Sequence, residues 1–278
     1  MIVDSHTHIF PKMFKEDREG FFEQESEFKL LYENKNSRLC EAEELIKVMD
    51  KQGVDKSVVF GFPWRNPETI KRHNDYILEA MNSYPGRFYG LACVDMQSDT
   101  SGHEVDRCLK AGFHGVGELA LYQGSLTESI LNNLDSIMAL CSQQNVPVLI
   151  HSNEPVGHQY PGKATCAMVD GYSLARRYPD NKIILAHWGG GLFFFNLLKK
   201  ETKSVLSNVY FDTAASPFLY DTEIYSVAVN IIGADRILFG SDHPLIEPER
   251  YFREMQASGL SEQELKQIKG LNAQKLFS

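Results

Sequence analysis

Short hydrophobic runs alternate with longer amphipathic segments from one end of the chain to the other. Several of the runs are almost continuously apolar, which is typical of parallel strands covered on both faces. In the segment 69–84, by contrast, apolar residues recur at the spacing of one helix face. We predict strands at residues 1–6, 56–61, 87–94, 113–119, 146–152, 182–187, 209–214 and 236–242, in alternation with helices.

This alternation predicts a single α/β domain over residues 1–278 with the (β/α)8 TIM-barrel fold, whose usual length is roughly 250 residues. An open, doubly wound sheet is the alternative architecture. Such sheets often place a glycine-rich phosphate-binding turn between a strand and a helix. Residues 112–118 have the glycines but not the spacing of that turn, so the barrel is the preferred interpretation.

The connection between the first strand and its helix is unusually long. It covers residues 10–40, whereas connections in compact domains commonly have about 4–6 residues. Connections of this length are usually functional lids or insertions with local structure. Its aromatic side chains could cover a site, pack on the barrel rim or contact a partner subunit. We predict a lid-like insertion and leave these alternatives open.

Composition and charge narrow the classes of partner. The chain has 28 Lys and Arg against 37 Asp and Glu, a net charge of −9, which disfavours nucleic acid as a partner but allows a local basic patch. It lacks an apolar run of about 18 residues and a signal-peptide pattern at its start. The five cysteines include no C-x-x-C pair. These features predict a cytoplasmic protein that does not bind membranes.

Metal-binding side chains occur where the predicted strands end. His6 and His8 are two residues apart, so both imidazoles project from the same face of the first strand. Four other predicted strands carry a side chain of the same kind at or near their ends: Glu118, His151, His187 and Asp242. A parallel barrel brings all these ends to one mouth, where the active site forms. Histidine and carboxylate donors without cysteine predict a site for Zn, Mn or Fe.

Further polar residues near the same mouth are candidates for substrate binding. The loop after the fifth strand contains Glu154, His158 and Tyr160, although its prolines and glycines could also serve only to shape a rigid turn. Arg65 could bind a substrate carboxylate with both guanidinium nitrogens or form only a salt contact at the rim. Trp188 is a candidate apolar wall. Residues 189–191 are glycines, which would allow close backbone approach at a helix start.

Five short motifs in a fixed order suggest a family. They are DSHTH at 4–8, His151 in VLIHS, AHWGG at 186–190, FGSDHP at 239–244 and NAQKLF at 272–277. With them, the chain resembles the amidohydrolase superfamily, and more narrowly its amidohydrolase-2 branch, over nearly its whole length. The resemblance implies a (β/α)8 barrel with metal at its C-terminal mouth.

The resemblance also implies roles for the strand-end residues. By position, His6, His8, His151 and Asp242 correspond to metal ligands. His187 corresponds either to a ligand of a second metal or to a catalytic acid/base. Glu118 corresponds to a carboxylate that bridges two metals, or else it only hydrogen-bonds the neighbouring histidines. We expect one or two divalent ions per chain, with zinc as the first choice and manganese or iron as alternatives.

A metal with an open position lowers the pKa of its bound water towards about 7. Asp242 is placed to accept the water's proton and pass it to a leaving group, while His187 could polarise or protonate the substrate. We therefore predict hydrolysis of a C–N or C–O bond in a small carboxylate-bearing or cyclic substrate. The alternative is a non-oxidative decarboxylase of the aminocarboxymuconate-semialdehyde decarboxylase type, which shares the same residue pattern. We expect a homodimer.

Overall fold

Eight parallel strands pair in chain order in the computed structural model, which describes residues 1–164 and 168–278. The strands are β1 (Val3–His8), β2 (Lys56–Phe60), β3 (Phe88–Ala92), β4 (Gly115–Leu119), β5 (Val148–Ile150), β6 (Ile183–Leu185), β7 (Val209–Asp212) and β8 (Ile237–Leu238). The segment after β8 returns to β1: Ser5 N donates to Phe239 O at 2.7 Å and His8 N to His243 O at 2.8 Å. The sheet is therefore a nearly closed barrel, and the predicted (β/α)8 fold is confirmed.

Helices lie in the connections between the strands. They are α1 (Lys12–Glu16), α2 (Ser26–Tyr32), α3 (Ala42–Gln52), α4 (Pro67–Ser83), α5 (Ser101–Lys110), α6 (Glu128–Gln144), α7 (Met168–Arg177), α8 (Thr202–Val205), α9 (Ser216–Leu219), α10 (Ile224–Ile232), α11 (Pro248–Ala257), α12 (Glu262–Lys266) and α13 (Asn272–Phe277). Among the described residues, none of the helices has both the length and the apolar character needed to cross a membrane.

The barrel interior is filled at one end and polar at the other. Buried strand residues such as Val58, Leu149 and Ile184 form an inner core with Leu276 and Phe277 of α13. These two side chains belong to the closing NAQKLF motif, which thus plugs the amino-terminal end of the barrel. Because that end is filled with apolar side chains, polar chemistry is confined to the opposite mouth, where the strands end.

The insertion at residues 10–40 packs on the barrel rim through its aromatic side chains. The rings of Phe14 and Phe28 lie 4.7 and 4.5 Å from Trp64, between centroids. The indole of Trp64 donates to His73 Nδ1 at 2.9 Å, and His73 Nε2 donates to the carbonyl of Ile9 at 2.7 Å. For Phe14 and Phe28, the structure supports packing on the rim. The prediction that the insertion acts as a lid stays a prediction.

Candidate active site

Six side chains meet at the mouth of the barrel, and they are the six named from the strand ends: His6, His8, Glu118, His151, His187 and Asp242. Their possible ligand atoms fall into three overlapping groups, each within 4.8 Å: His6 with His8 and Glu118, His6 with His187 and Asp242, and Glu118 with His151 and His187. We call this set the histidine–carboxylate cluster. Because the groups overlap, the geometry accommodates one ion or two.

His6 is oriented for metal binding by a carboxylate behind it. Its Nδ1 lies 2.8 Å from Asp212 Oδ2, and since a carboxylate can only accept, Nδ1 carries the hydrogen. Nε2 then presents a lone pair at 3.7 Å from Glu118 and 3.6 Å from Asp242. That buried nitrogen has no hydrogen-bond partner among the described residues. A lone pair facing two carboxylates needs a cation between them, so the cluster fits a divalent metal.

The pKa of His6 is raised, which also indicates that the cluster favours a positive charge at this position. Burial acts to lower this pKa, but the charges of Asp212 and Glu118 outweigh it and raise the pKa to about 10. The negative field of the cluster therefore stabilises either a proton on Nε2 or a metal ion in its place.

Both carboxylates of the cluster are ionised at neutral pH. Burial acts to raise the pKa of Asp242, but its hydrogen bond with His8 and the charge of His6 hold the pKa well below its usual range. For Glu118, burial is likewise outweighed by the charges of His151 and His6, which lower the pKa to about 2. One buried and one partly buried anion beside four imidazoles provide oxygen and nitrogen donors of the kind that Zn, Mn and Fe bind.

Sequence reasoning missed Asp212, the last residue of β7. Its Oδ1 accepts hydrogen bonds from the backbone N of His187 at 2.9 Å and of Ala214 at 3.0 Å, while Oδ2 binds His6. Asp212 is fully buried and so links β1, β6 and β7 beneath the cluster. The signal that could have found it is its position, because it ends a strand as the cluster residues do.

His187 and His151 differ in the proton states that their partners favour. His187 Nδ1 lies 3.1 Å from the carbonyl of Ala214 and donates to it, so Nε2 presents its lone pair to His151 Nδ1 at 3.2 Å. His151 Nδ1 is also 2.9 Å from Glu118 Oε1. Burial and the charge of His151 lower the pKa of His187, whereas Glu118, against the effect of burial, raises the pKa of His151. Glu118 thus hydrogen-bonds a neighbouring histidine while still reaching His6 and His8.

A left-handed turn after β6 aims His187 into the mouth. The φ angles of His187, Trp188, Gly189 and Gly190 are 54°, 61°, 61° and 60°. Each non-glycine residue in this region costs roughly 1–2 kcal/mol, and a Cβ at Gly190 would lie 2.1 Å from the carbonyl oxygen of Asn153. The expected close backbone approach at the glycines is confirmed, but the backbone there turns in the left-handed sense before a short 3₁₀ segment and does not open an α-helix.

Trp188 packs among residues of the following connection and α10. Its side chain is fully buried, with its ring centroid 5.8 Å from Phe193 and 5.6 Å from Tyr225. Its indole nitrogen donates to the hydroxyl of Ser216. These contacts hold the left-handed turn against the helical layer, and the role of Trp188 as a wall of the cluster stays a prediction.

The polar side chains of the loop after β5 bind mainly one another. The Tyr160 hydroxyl donates to Glu154 at 3.1 Å, and Lys163 pairs with Glu154 at 2.9 Å. His158 is exposed. The loop reaches the cluster through its backbone, since the carbonyl of Gly162 lies 3.1 Å from His151 Nε2. The structure does not bring Glu154, His158 or Tyr160 to the cluster, and their role in substrate binding stays a prediction.

Three aromatic residues lie beside the cluster: Tyr32, one of the insertion aromatics that could cover a site, and Phe62 and Tyr122, which the sequence did not single out. The Tyr122 ring is centred 5.0 Å from His151 and stacks on Phe62 at 5.9 Å, and Tyr32 of α2 lies 6.1 Å from Phe62. Burial and the charges of nearby carboxylates raise the pKa of both tyrosines well above its usual value. Both therefore stay neutral phenols. Neither hydroxyl has a hydrogen-bond partner in the described part of the chain, so both can serve a ligand.

Arg65 ties the insertion to the barrel. Its Nη1 donates to Asp95 at 2.9 Å and its Nη2 to Glu27 of α2 at 3.0 Å, while its backbone N donates to Glu25 at 2.9 Å. Glu25 and Glu27 are buried, so the guanidinium and the backbone satisfy carboxylates that would otherwise lack partners. This arrangement favours the salt contact at the rim over the binding of a substrate carboxylate.

Replacing Arg65 by Met separates these two roles. We expect the free energy of unfolding to fall by about 2 kcal/mol, because Glu27 and Asp95 lose their shared cation. Urea unfolding followed by circular dichroism measures this change. Arg176→Met is the matched control, since Arg176 is 68% exposed and pairs with Glu201 only at 3.6 Å. An Arg65 variant of unchanged stability but strongly raised KM would instead identify a substrate-binding residue.

Comparison with known proteins agrees with this geometry. A family model described as amidohydrolase matches residues 3–278. A gamma-resorcylate decarboxylase from Polaromonas sp. is 26% identical over 296 residues, which cover 87% of this chain and 89% of the relative. A 2-amino-3-carboxymuconate-6-semialdehyde decarboxylase from Dictyostelium discoideum is 24% identical, with 87% and 81% covered.

A solved structure of similar fold is that of a mutant 5-carboxyvanillate decarboxylase from Novosphingobium aromaticivorans. Its TM-score is 0.79 at 20% identity, and the match covers 100% of this chain and 97% of the other. That structure contains manganese and 3-methoxy-4-hydroxy-5-nitrobenzoic acid. At this level of identity, the likeness shows the barrel fold.

The names of these relatives contradict the predicted hydrolysis of a C–N or C–O bond. All three are decarboxylases by name, so the relatives support the decarboxylase alternative instead. The physical reason for the error is that the same imidazole and carboxylate donors serve both reactions. The donor set fits a divalent metal, whereas the choice of zinc stays a prediction.

Proposed function

Since the chain belongs to the amidohydrolase family, we propose that this enzyme removes CO2 from a small carboxylic acid without oxidation. The observation that carries the proposal is the match to relatives named as decarboxylases over 87% of the chain. The cluster is compatible with decarboxylation, but the same donors would also serve hydrolysis. The names of the relatives therefore favour decarboxylation.

We assign the metal site to His6, His8, Asp242 and the neighbouring residues of the cluster, and we prefer manganese over zinc because a solved relative contains it. When bound, the ion stabilises negative charge that develops on the substrate's oxygen atoms. Asp212 fixes the tautomer of His6 through the hydrogen bond at Nδ1. His151 and Glu118 hydrogen-bond each other and hold the opposite side of the cluster.

Decarboxylation replaces a carboxylate by hydrogen. The C–C bond to the carboxyl carbon breaks, CO2 leaves, and the electron pair stays on the carbon that carried the carboxylate, where it forms a C–H bond with a supplied proton. We propose His187 Nε2 as the atom that delivers the proton. The Nδ1 of His187 donates its hydrogen to the carbonyl of Ala214, so only Nε2 can take up a further proton. Because the pKa of His187 is lowered, the ring readily releases a proton bound at Nε2.

The aromatic side chains beside the cluster favour a flat substrate. Phe62 and Tyr122 stack with an angle of 4° between their rings, and Tyr32 lies next to them. Apolar ring faces accept an aromatic or conjugated acid by stacking. The two phenol hydroxyls can donate to its hydroxyl or carboxylate oxygens. We therefore propose an aromatic or conjugated acid as the substrate.

The test uses the manganese-loaded enzyme in D2O with 2,6-dihydroxybenzoate, 5-carboxyvanillate and 2-amino-3-carboxymuconate-6-semialdehyde. At least one acid is expected to release CO2 and give a product with one deuterium at the carbon that lost the carboxylate. Gas analysis and mass spectrometry measure the two products. A chelator-treated sample is the control and is expected to be inactive until manganese is returned.

Two results would overturn the proposal. One is full metal occupancy with no CO2 from any acid of the panel. The other is activity that survives complete removal of metal, since the cluster would then have no part in it.

A further inference from the structure

A second cavity lies under the insertion, outside the histidine–carboxylate cluster. Its volume is about 280 Å³, and it opens between the insertion, α3 and the residue after Asp242. The charged and ionisable side chains of its lining are Lys15, Arg18, Lys35, Arg38, Glu44 and His243. We call this cavity the basic pocket, because four cationic side chains face one acidic one.

Two of the cations in the basic pocket lack an acidic partner. Arg18 donates through Nη1 to the carbonyls of Tyr32 at 3.2 Å and Asn34 at 3.3 Å, which fixes its guanidinium. Within residues 1–164 and 168–278, neither Arg18 nor Lys35 has a carboxylate at ion-pair distance. In a chain with a net charge of −9, this is a local excess of positive charge.

His243 supplies an independent observation. Its side chain is 0% exposed, and neither ring nitrogen has a hydrogen-bond partner among the described residues. Its backbone is fixed, since its carbonyl accepts from His8 N at 2.8 Å. The ring borders the basic pocket, whereas the neighbouring Asp242 points into the cluster. A buried imidazole without a partner is costly. Because both nitrogens are shielded from solvent, the ring has to turn towards the pocket for a ligand oxygen to accept from it.

We propose that the basic pocket is a binding site for a small oxyanion, either inorganic phosphate or the carboxylate of a short organic acid. The guanidinium of Arg18 has nitrogens left to bind two oxygens of such an ion, and Lys35 adds a second charge. The volume of 280 Å³ lies near the lower limit of ligand pockets, which suits a small ion. The inference is independent of the reaction proposed for the cluster.

Calorimetric titration of the metal-loaded wild-type enzyme with phosphate and, separately, with succinate tests the site at constant ionic strength. The double variant Arg18→Gln/Lys35→Gln is expected to bind the preferred ion at least tenfold more weakly, because charge-assisted hydrogen bonds are lost. The matched control is Arg176→Gln/Lys200→Gln, which removes the same two charges at exposed positions elsewhere. The control is expected to stay within twofold of the wild type.

Each outcome bears directly on the inference. The site is supported if only one of the two ions, phosphate or succinate, binds and if only the Arg18→Gln/Lys35→Gln variant weakens that binding. The ion that binds then identifies the class of ligand. Equal binding by the Arg18→Gln/Lys35→Gln variant and the wild type overturns the inference, because the ion would then bind at another place, such as the metal. Equal weakening by both double variants also overturns it, because net charge would then explain the effect.

Discussion

Replacing Asp242 by Asn is expected to lower kcat/KM for decarboxylation by about 10³-fold or more. The carboxylate lies 3.4 Å from His8 Nε2 and 3.6 Å from His6 Nε2, so it is both a charge for the metal and an acceptor for the histidines. A neutral amide keeps the shape but loses the charge. We therefore expect the metal content per chain to fall together with the activity.

Asn is the appropriate substitution for the backbone as well. Asp242 has a φ angle of 60°, in the left-handed region that Asn tolerates better than other residues with a side chain. Its backbone N donates to the carbonyl of His6 at 2.9 Å, and this bond is independent of the side chain. Thermal melting should thus stay close to that of the control Asp235→Asn, whose side chain is exposed. If the Asp242→Asn variant kept the wild-type kcat/KM, the cluster would have no part in the mechanism.

The barrel could be predicted because its signal is repeated along the chain. Several strands are buried on both faces and therefore read as apolar runs, whereas β1 is mostly polar because it carries His6 and His8. The exact bounds could not be predicted in the same way. The run at 236–242 pairs as a strand only over Ile237–Leu238, because the residues after it bend to hydrogen-bond with β1 and close the barrel.

The cluster could also be predicted, since strand ends of a parallel barrel converge whatever the details of packing. Asp212 was missed because an aspartate at a strand end is common and the motif around it contains no histidine. Its role depends on a hydrogen bond to His6, 206 residues away in the chain. Tyr122 was missed because it follows β4 outside the motifs. Tyr32 was among the insertion aromatics that could cover a site, and only the packing of α2 shows that it lies at the mouth.

The reaction itself could not be predicted from the donor set. Hydrolysis and decarboxylation both need a cation, ionised carboxylates and a histidine that carries a proton. What distinguishes them is how the substrate is held, and that depends on side chains outside the motifs. Arg65 illustrates the difficulty, because its ion pairs with Glu27 and Asp95 become visible only in the folded chain.

Replacing Asp212 by Asn is expected to weaken manganese binding by about 10- to 100-fold. In the wild type, Oδ1 accepts from the backbone N of His187 and Ala214, and Oδ2 accepts from His6 Nδ1. An Asn that keeps its oxygen on the two backbone groups turns its NH2 towards His6. Two donors would then face each other, so His6 must move its hydrogen from Nδ1 to Nε2. That hydrogen points into the cluster, where the metal needs a lone pair.

This account is distinguishable from a general loss of structure. Saturating manganese should restore most of the kcat of the Asp212→Asn variant, because the ion can drive His6 back to the tautomer with a free Nε2. The ¹⁵N shifts of the His6 ring in the metal-free protein, recorded above the pKa of about 10 at which the wild-type ring loses its second proton, should show the remaining hydrogen at Nε2 in the variant and at Nδ1 in the wild type. Asp235→Asn, with its exposed side chain, is the control and should match the wild type in both measurements. Wild-type manganese affinity in the Asp212 variant would contradict the argument, since the hydrogen bond at Nδ1 would then have no effect on the lone pair that faces the metal.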